Sequence, residues 1–178
     1  MRVAEWNPWH GCHKYSEGCA HCYVYRRDAK YELDASVVKK NAAFDLPVRR
    51  KRDGSYALKG PDDVATCFTS DFLIDEADAW RPEAWRMVRE RGDLTFFFIT
   101  KRIARLAAVL PEDWGAGYPN VSIGVTCQNQ RMADERLPLF LAVPVRRRLI
   151  ICEPMLTAID LRAHLCAGIA QVAAGGES

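Results

Sequence analysis

Three cysteines near the start of the chain have the residue type and the spacing of a metal site. Cys12, Cys19 and Cys22 lie within eleven residues, in the stretch WNPWHGCHKYSEGCAHCY (6–23). Three thiolates from one loop can hold three irons of a four-iron cluster and leave the fourth iron open to an exchangeable ligand. Soft thiolates select iron–sulfur or zinc over hard cations. The spacing therefore predicts that these three residues are metal ligands.

Zinc is the alternative metal, because a structural zinc site needs four ligands and His10, His13 or His21 would complete a Cys3His set. Zinc modules generally draw two pairs of ligands from separate knuckles, whereas here only Cys19 and Cys22 form a pair. This difference favours an iron–sulfur cluster over zinc, and free thiols are the third interpretation. The remaining cysteines are scattered along the chain at Cys67, Cys127, Cys152 and Cys166.

Composition indicates one globular domain spanning residues 1–178. The chain has 178 residues, 49% of them hydrophobic, so it can bury a core and is not disordered. Its formal net charge of +2 is too balanced to demand nucleic acid or an anionic membrane as a partner. No apolar run approaches the roughly 18 residues that span a bilayer, and the start lacks a secretion signal. We expect a cytoplasmic protein with reduced cysteines and no membrane partner.

Short apolar runs alternate with helical stretches along the rest of the chain. The predicted strands are continuously apolar, which is typical of a parallel sheet; they lie near 2–6 and at 64–69, 94–100, 121–127, 148–153 and 169–175. The predicted helices lie at 20–32, 79–91, 102–110, 130–142 and 158–167. Six such units with right-handed crossovers favour an α/β fold, a partial or closed (β/α)6 TIM-like barrel, over an open sheet.

The segment 46–60 interrupts this alternation. Asp53-Gly54 between two extendable arms predicts an inserted β-hairpin, since both residues accept the positive φ of a tight turn. Its basic run, Arg49 to Arg52, offers nucleic acid a contact, although a charged hairpin is more often a solvated face. A nucleic-acid-binding or interaction module stabilised by zinc or a cluster is therefore the alternative function, and a catalytically degenerate barrel acting as an interaction partner is a third.

Polar residues follow each predicted strand at its carboxyl end, where parallel α/β barrels place their functional mouth. Asp71, Lys101 and Glu153 are the candidate catalytic residues, with orienting or proton-handling roles. The candidate cofactor-binding residues are Thr126, Gln128, Asn129, Gly175, Gly176 and Glu177. The coincidence of polar groups at all six strand ends favours an enzyme over a purely structural domain.

Several motifs in one order carry a resemblance to a known family. WNPWHGCHKYSEGCAHCY, TSDFLIDEADAWR, ITKR, PNVSIGVTCQNQ, RLPLF, CEPM and GGES together resemble the phage- and bacteria-associated three-cysteine family of unassigned function, which is regarded as radical-SAM-like. The resemblance covers essentially the whole chain. It implies a radical-SAM-type barrel in which Cys12, Cys19 and Cys22 bind a [4Fe–4S] cluster. The open iron would then take S-adenosylmethionine (SAM).

The resemblance also implies a reaction: an electron donor reduces the cluster, SAM is cleaved to a 5′-deoxyadenosyl radical, and the radical abstracts hydrogen from an unknown small-molecule substrate. Two features depart from the common radical-SAM pattern. Six residues separate Cys12 from Cys19 where three are usual, and the Gly-Gly-Glu of residues 175–177 follows the sixth strand rather than an early one. Relatives continue past GGES, so the chain is expected to lack a C-terminal segment.

Overall fold

The structure is a computed structural model that describes residues 3–176. Its eight strands are β1 (Val3–Trp6), β2 (Trp9–His10), β3 (Lys39–Lys40), β4 (Asp63–Thr66), β5 (Thr95–Thr100), β6 (Val121–Thr126), β7 (Arg147–Cys152) and β8 (Ile169–Ala174). Its four α-helices are α1 (Tyr23–Ala29), α2 (Arg81–Glu90), α3 (Leu106–Val109) and α4 (Gln130–Ala142). Single 3₁₀ turns lie at Glu17–Cys19, Asp75–Ala77 and Ile103–Arg105.

Six of the strands form one parallel sheet in the order β1-β4-β5-β6-β7-β8. Each strand therefore pairs with the sheet strand that precedes it in the chain, and all carboxyl ends meet at one edge. This confirms the mixed α/β class and the parallel sheet. Within residues 3–176, no hydrogen-bonded pairing joins β1 to β8, and closure into a barrel stays a prediction.

Helices α2 and α4 pack on the same face of the sheet. Phe98, Ile123 and Arg148 are register partners on neighbouring strands, so their side chains share one face. Trp85 of α2 packs edge-on against Phe98, and the Arg148 guanidinium lies over the ring of Phe140 in α4. The hydrophobic core consequently lies between these helices and that face.

Aromatic rings fill the centre of this core. Phe72, in the loop after β4, stacks on Phe98 with 4.6 Å between ring centroids and contacts Trp9 and Trp85 at 5.1 and 4.9 Å. Trp6 and Trp9 are fully buried, and the Trp6 indole donates a hydrogen bond of 2.9 Å to the Phe44 carbonyl. The chain is thus anchored in the core at the end of β1 and again at the start of the short strand β2.

Two predicted helices differ from the structure. Residues 158–167 form turns, because Asp160 accepts hydrogen bonds from the Arg162 backbone and side chain and its own amide donates to Gln130. These local bonds compete with helical ones. Residues 102–110 hold only a 3₁₀ turn and the single turn α3, since Leu110 precedes Pro111 and is extended.

The loops contain two antiparallel contacts. In the segment 46–60, one β-bridge joins Arg50 to Tyr56 and Gly54 has a φ of +80°, so the chain reverses direction there without forming extended strands. A ribbon between β2 and β3, which was not predicted, pairs Trp9 with Lys40. No helix among the described residues has the length and apolar character needed to cross a membrane.

Candidate functional site

The three N-terminal cysteines lie on a loop over the carboxyl edge of the sheet. The Cys12 amide donates a 2.8 Å hydrogen bond to the Ala35 carbonyl, Cys19 ends a 3₁₀ turn, and Cys22 is the N-cap residue of α1. All three are half-buried free thiols. Each of the three cysteines therefore lies in a different local backbone structure.

Gly11 brings this loop against its neighbours. Its φ of +94° favours glycine, and a Cβ there would lie 2.2 Å from the Val37 carbonyl oxygen. Its amide donates a 3.1 Å bond to the Thr69 carbonyl, and Ser70 donates to its carbonyl oxygen. The residue before Cys12 is therefore clamped between the loop after β4 and the segment before β3.

Asp71 is the centre of a buried polar cluster beside Cys12. Its carboxylate accepts hydrogen bonds from the Thr100 hydroxyl at 2.7 Å, the Leu73 amide at 2.9 Å and the Lys101 amide at 3.0 Å. It also pairs with the Arg102 guanidinium at 3.5 Å. Each carboxylate oxygen of Asp71 therefore has two donors, which fits an orienting role for this residue.

Arg102 links that cluster to the cysteine loop. One of its terminal nitrogens lies 3.7 Å from the Cys12 sulfur, and the other donates a 2.9 Å bond to the His13 carbonyl. Its guanidinium also lies over the Tyr15 ring, 4.9 Å from the centroid. The Arg102 side chain therefore contacts the Cys12 sulfur and the carbonyl of the next residue, and it places a positive charge near that sulfur.

The pKa values of Cys12 and Cys19 are shifted in opposite directions. Burial raises the pKa of Cys12 to about 11, although Arg102 opposes this. Burial also raises the pKa of Cys19, but backbone groups of Tyr15 and Ser16 and the charges of Lys101 and Arg102 outweigh it, so the net pKa lies below its ordinary value. The loop thus offers one thiol that ionises readily, as metal ligands must.

Tyr25 ties helix α1 to the cysteine loop. Its hydroxyl donates a hydrogen bond to the Cys12 carbonyl. Burial raises the pKa of Tyr25, and the nearby Cys12, Cys22, Asp34 and Cys19 groups add to the rise.

Among residues 3–176, no group of three or more His, Cys, Asp or Glu side chains is placed so that it could hold a metal ion. Two candidate zinc ligands are engaged elsewhere: His10 contacts Asp28 at 2.5 Å and His13 pairs with Glu76. His21 is exposed.

Thr126 is the last residue of β6, Gln128 follows the strand, and both are buried. The Thr126 hydroxyl and the Gln128 amide nitrogen have no hydrogen-bond partner among the described residues, and neither has the hydroxyl of Ser16 in the cysteine loop. Gln128 lies under Gly18, where a Cβ would be 3.3 Å from its side chain. Orphaned buried donors of this kind fit a bound ligand beneath the loop.

Asn129 has a structural role in this arrangement. Its side-chain oxygen accepts a 2.9 Å bond from the Met132 amide and so caps α4, while its amide nitrogen donates to Glu17 at 3.0 Å. Glu17 also pairs with Arg131 at 2.8 Å. The start of α4 is therefore tied to the cysteine loop.

Glu153, Gly175 and Gly176 lie at the ends of β7 and β8. Glu153 is exposed and packs against Gly175, where a Cβ would be 2.8 Å from its carboxylate oxygen. Gly176 is in open space, and Glu177 lies outside the described residues. No hydrogen bond or ion pair between described residues links Glu153 to Asp71 or Lys101.

Two site residues were missed from the sequence, Arg102 and Arg136. Arg136 in α4 is buried and donates to the Thr126 carbonyl and the Gln128 side-chain oxygen at 2.6 and 3.0 Å. The sequence could have indicated Arg102 as a site residue, because it directly follows Lys101 at the end of a strand. It could not have indicated Arg136, because an arginine within a helix is usually exposed.

The sheet and the cysteine loop at its carboxyl edge define an α/β protein with a candidate metal centre. The chain belongs to the family described as protein of unknown function DUF5131, which it matches over residues 2–178. No curated protein and no solved structure matches it. Membership in a family of unassigned function is thereby confirmed, whereas its radical-SAM chemistry and phage association stay predictions.

We expect Gly11→Ala to lower the free energy of unfolding by more than Gly54→Ala. Both glycines have positive φ, so each variant incurs about 1–2 kcal/mol of backbone strain. Only at Gly11 does the new Cβ also displace a neighbour, since Gly54 has nothing within 4 Å. Urea unfolding of both variants measures the difference. Equal losses would contradict the clamp at Gly11.

A double-mutant cycle tests the Asp71–Arg102 pair. We expect Arg102→Met to lower the free energy of unfolding by about 3 kcal/mol, the low end for breaking a buried pair, because Asp71 keeps its neutral donors. Asp71→Asn in the same chain should recover part of this loss. The exposed pair Asp160–Arg162 is the control and should show coupling close to zero. Additive losses at Asp71 and Arg102 would show that they act independently.

Proposed function

We propose that this chain is a cytoplasmic iron–sulfur enzyme of radical-SAM type. Cys12, Cys19 and Cys22 would hold a [4Fe–4S] cluster whose open iron takes SAM. The observation that carries the proposal is that one loop at the carboxyl edge of a parallel sheet holds three half-buried free thiols. The longer spacing between Cys12 and Cys19 is accommodated by the 3₁₀ turn at Glu17–Cys19.

The charges around the loop support a cluster. Such a cluster, held by Cys12, Cys19 and Cys22 and reduced by an external electron donor, would supply the electron for cleavage of SAM to methionine and a 5′-deoxyadenosyl radical, which would take a hydrogen atom from the substrate. Lys101 and Arg102 stabilise the thiolates, and Asp71 fixes the guanidinium of Arg102. Trp6 and Trp9 are fully buried next to the loop, so they exclude water from that side of it. Each of these side chains acts by holding charge or excluding water.

The orphaned donors are suited to the polar groups of the cofactor. Thr126 and Gln128 present an unpaired hydroxyl and an unpaired amide beneath the loop. Asn129 holds α4 and the loop together, and Lys101 contributes an ammonium beside Cys19. Glu153, Gly175 and Gly176 would border the cofactor from the far end of the sheet, and Glu177, outside the described residues, stays a predicted cofactor-binding residue.

The sheet order supports a partial barrel of six strands. The strands are parallel and follow one another across the sheet in chain order, so right-handed crossovers all lie on one face of the sheet. The other face therefore receives no helix from these crossovers. Phe97, Gly124 and Ile151 share that second face, where a Cβ on Gly124 would lie 3.0 Å from the Ile151 side chain. A sheet of this kind covers its second face by curling toward a barrel.

The basic hairpin supports a second candidate function only weakly. Arg49 pairs with Asp45, and the Arg50 guanidinium lies over the Tyr56 ring at 4.2 Å, so two of the four basic residues are occupied within the chain. Lys51 and Arg52 are exposed. A nucleic-acid-binding or interaction module of phage or mobile-element origin, stabilised by zinc or a cluster, is the alternative proposal.

Metal analysis of anaerobically purified protein is the first test. We expect brown protein with about four irons per chain. Cys12→Ala, Cys19→Ala and Cys22→Ala should each abolish the iron, because a cluster needs all three thiolates. Cys67→Ala and Cys166→Ala, one buried and one exposed, are the controls and should retain it. Colourless protein with one zinc per chain would contradict the cluster and favour the binding module.

Product analysis tests the reaction. The reconstituted protein, reduced with dithionite in the presence of SAM, should release 5′-deoxyadenosine, measured by chromatography against Cys22→Ala as the blank. The reason is that three thiolates leave one iron available to the cofactor. A cluster whose spectrum shifts on adding SAM without releasing this nucleoside would show binding without radical chemistry and would contradict the enzyme proposal.

A further inference from the structure

A cavity of about 400 Å³ lies next to the cysteine loop, between residues 15–17, residues 101–104 and helix α4. This volume falls within the range of small-molecule sites. Its lining includes the polar residues Ser16, Lys101 and Arg136 and the acidic residues Glu17 and Glu135. Its apolar surface comes from Ile103, Ala104, Met132 and Leu139.

Arg136 brings an uncompensated charge to this cavity. Its side chain is buried, and one terminal nitrogen makes both of its hydrogen bonds, to the Thr126 carbonyl and the Gln128 side-chain oxygen. Both acceptors are neutral, and no carboxylate within residues 3–176 pairs with the guanidinium. Buried charges in proteins are normally paired, because an unpaired one carries a large desolvation penalty. Burial also lowers the pKa of Arg136.

Lys101 adds a second unpaired cation to the same wall. Its ammonium forms no ion pair with any residue of the described part of the chain. Arg131, at the rim, differs because Glu17 and Glu135 neutralise it at 2.8 and 3.3 Å. The cavity therefore combines the orphaned hydroxyl of Ser16 with two cations that form no ion pair among the described residues, although the Arg136 guanidinium also lies 5.7 Å from the centroid of the Tyr15 ring. These three groups would bind an anion.

We propose that this cavity binds a small organic anion, with a carboxylate or phosphate head against Lys101, Arg136 and Ser16 and an apolar tail against Met132 and Leu139. The guanidinium has donors left for two oxygens of such a head group. The site goes beyond the proposed radical chemistry, since its residues would bind the anion whether or not a cluster is present.

Protection of Lys101 from acetylation tests the site on the purified full chain. The rate of Lys101 acetylation, followed by peptide mass spectrometry, should fall along a saturation curve as hexanoate is added at constant ionic strength, while exposed Lys59 is unaffected. Hexanoate should bind more tightly than acetate, by roughly fourfold for each methylene that contacts the apolar wall. Comparing hexanoate with hexyl phosphate identifies the preferred head group. Neutral 1-hexanol should give little protection.

Variants assign the effect to the cavity. Arg136→Met should weaken protection by hexanoate at least about tenfold, the effect of losing a charged hydrogen bond. Arg136→Lys keeps the charge, so it should retain part of the binding and serves if the methionine variant does not fold. Leu139→Ser should weaken hexanoate but not acetate. Three results would overturn the proposal. The first is that chloride protects Lys101 as well as hexanoate does. The second is that protection is unchanged in both Arg136→Lys and Arg136→Met, and the third is that SAM protects Lys101 and hexanoate does not.

Discussion

The carboxylate of Asp71 is the interaction on which the site depends. It lies in the loop after β4 and gathers donors from the end of β5, namely the Thr100 hydroxyl, the Lys101 amide and the Arg102 guanidinium. Arg102 in turn contacts Cys12. One buried charge thus joins two strand ends to the cysteine loop. A buried carboxylate is stable only when its oxygens are satisfied, so this geometry is tightly specified.

The same edge of the sheet concentrates groups that the chain itself leaves unsatisfied. The hydroxyls of Ser16 and Thr126 and the amide of Gln128 have no partner among the described residues. Lys101 and Arg136 carry charge that no carboxylate in that part of the chain balances. A fold tolerates such groups where a ligand completes them. One further buried atom without a partner, the Nε of Arg148, lies near the start of β7 at the opposite edge of the sheet.

Much of the fold was predictable because the strands are continuous apolar runs. The helix 130–142 was also predictable, because Asn129 precedes it and caps it. The segment 158–167 was not, since the side-chain bonds of Asp160 that replace helical ones carry no periodic signal. The ribbon of β2 and β3 is only two residues long on each side and is too short to show alternation. Arg102 reaches Cys12 across ninety positions of the chain, a contact that no local pattern reveals.

The consecutive strand order also bears on how the chain folds. Each strand of the sheet pairs with the sheet strand that precedes it in the chain, so no strand depends on a partner that comes much later in the sequence. The first crossover, residues 7–62, carries the cysteine loop and is twice as long as the second, residues 67–94. Closing a loop of doubled length costs only about 0.6 kcal/mol more, because the entropy grows with the logarithm of length. A long insertion that positions three thiols is therefore inexpensive for the folding of the sheet.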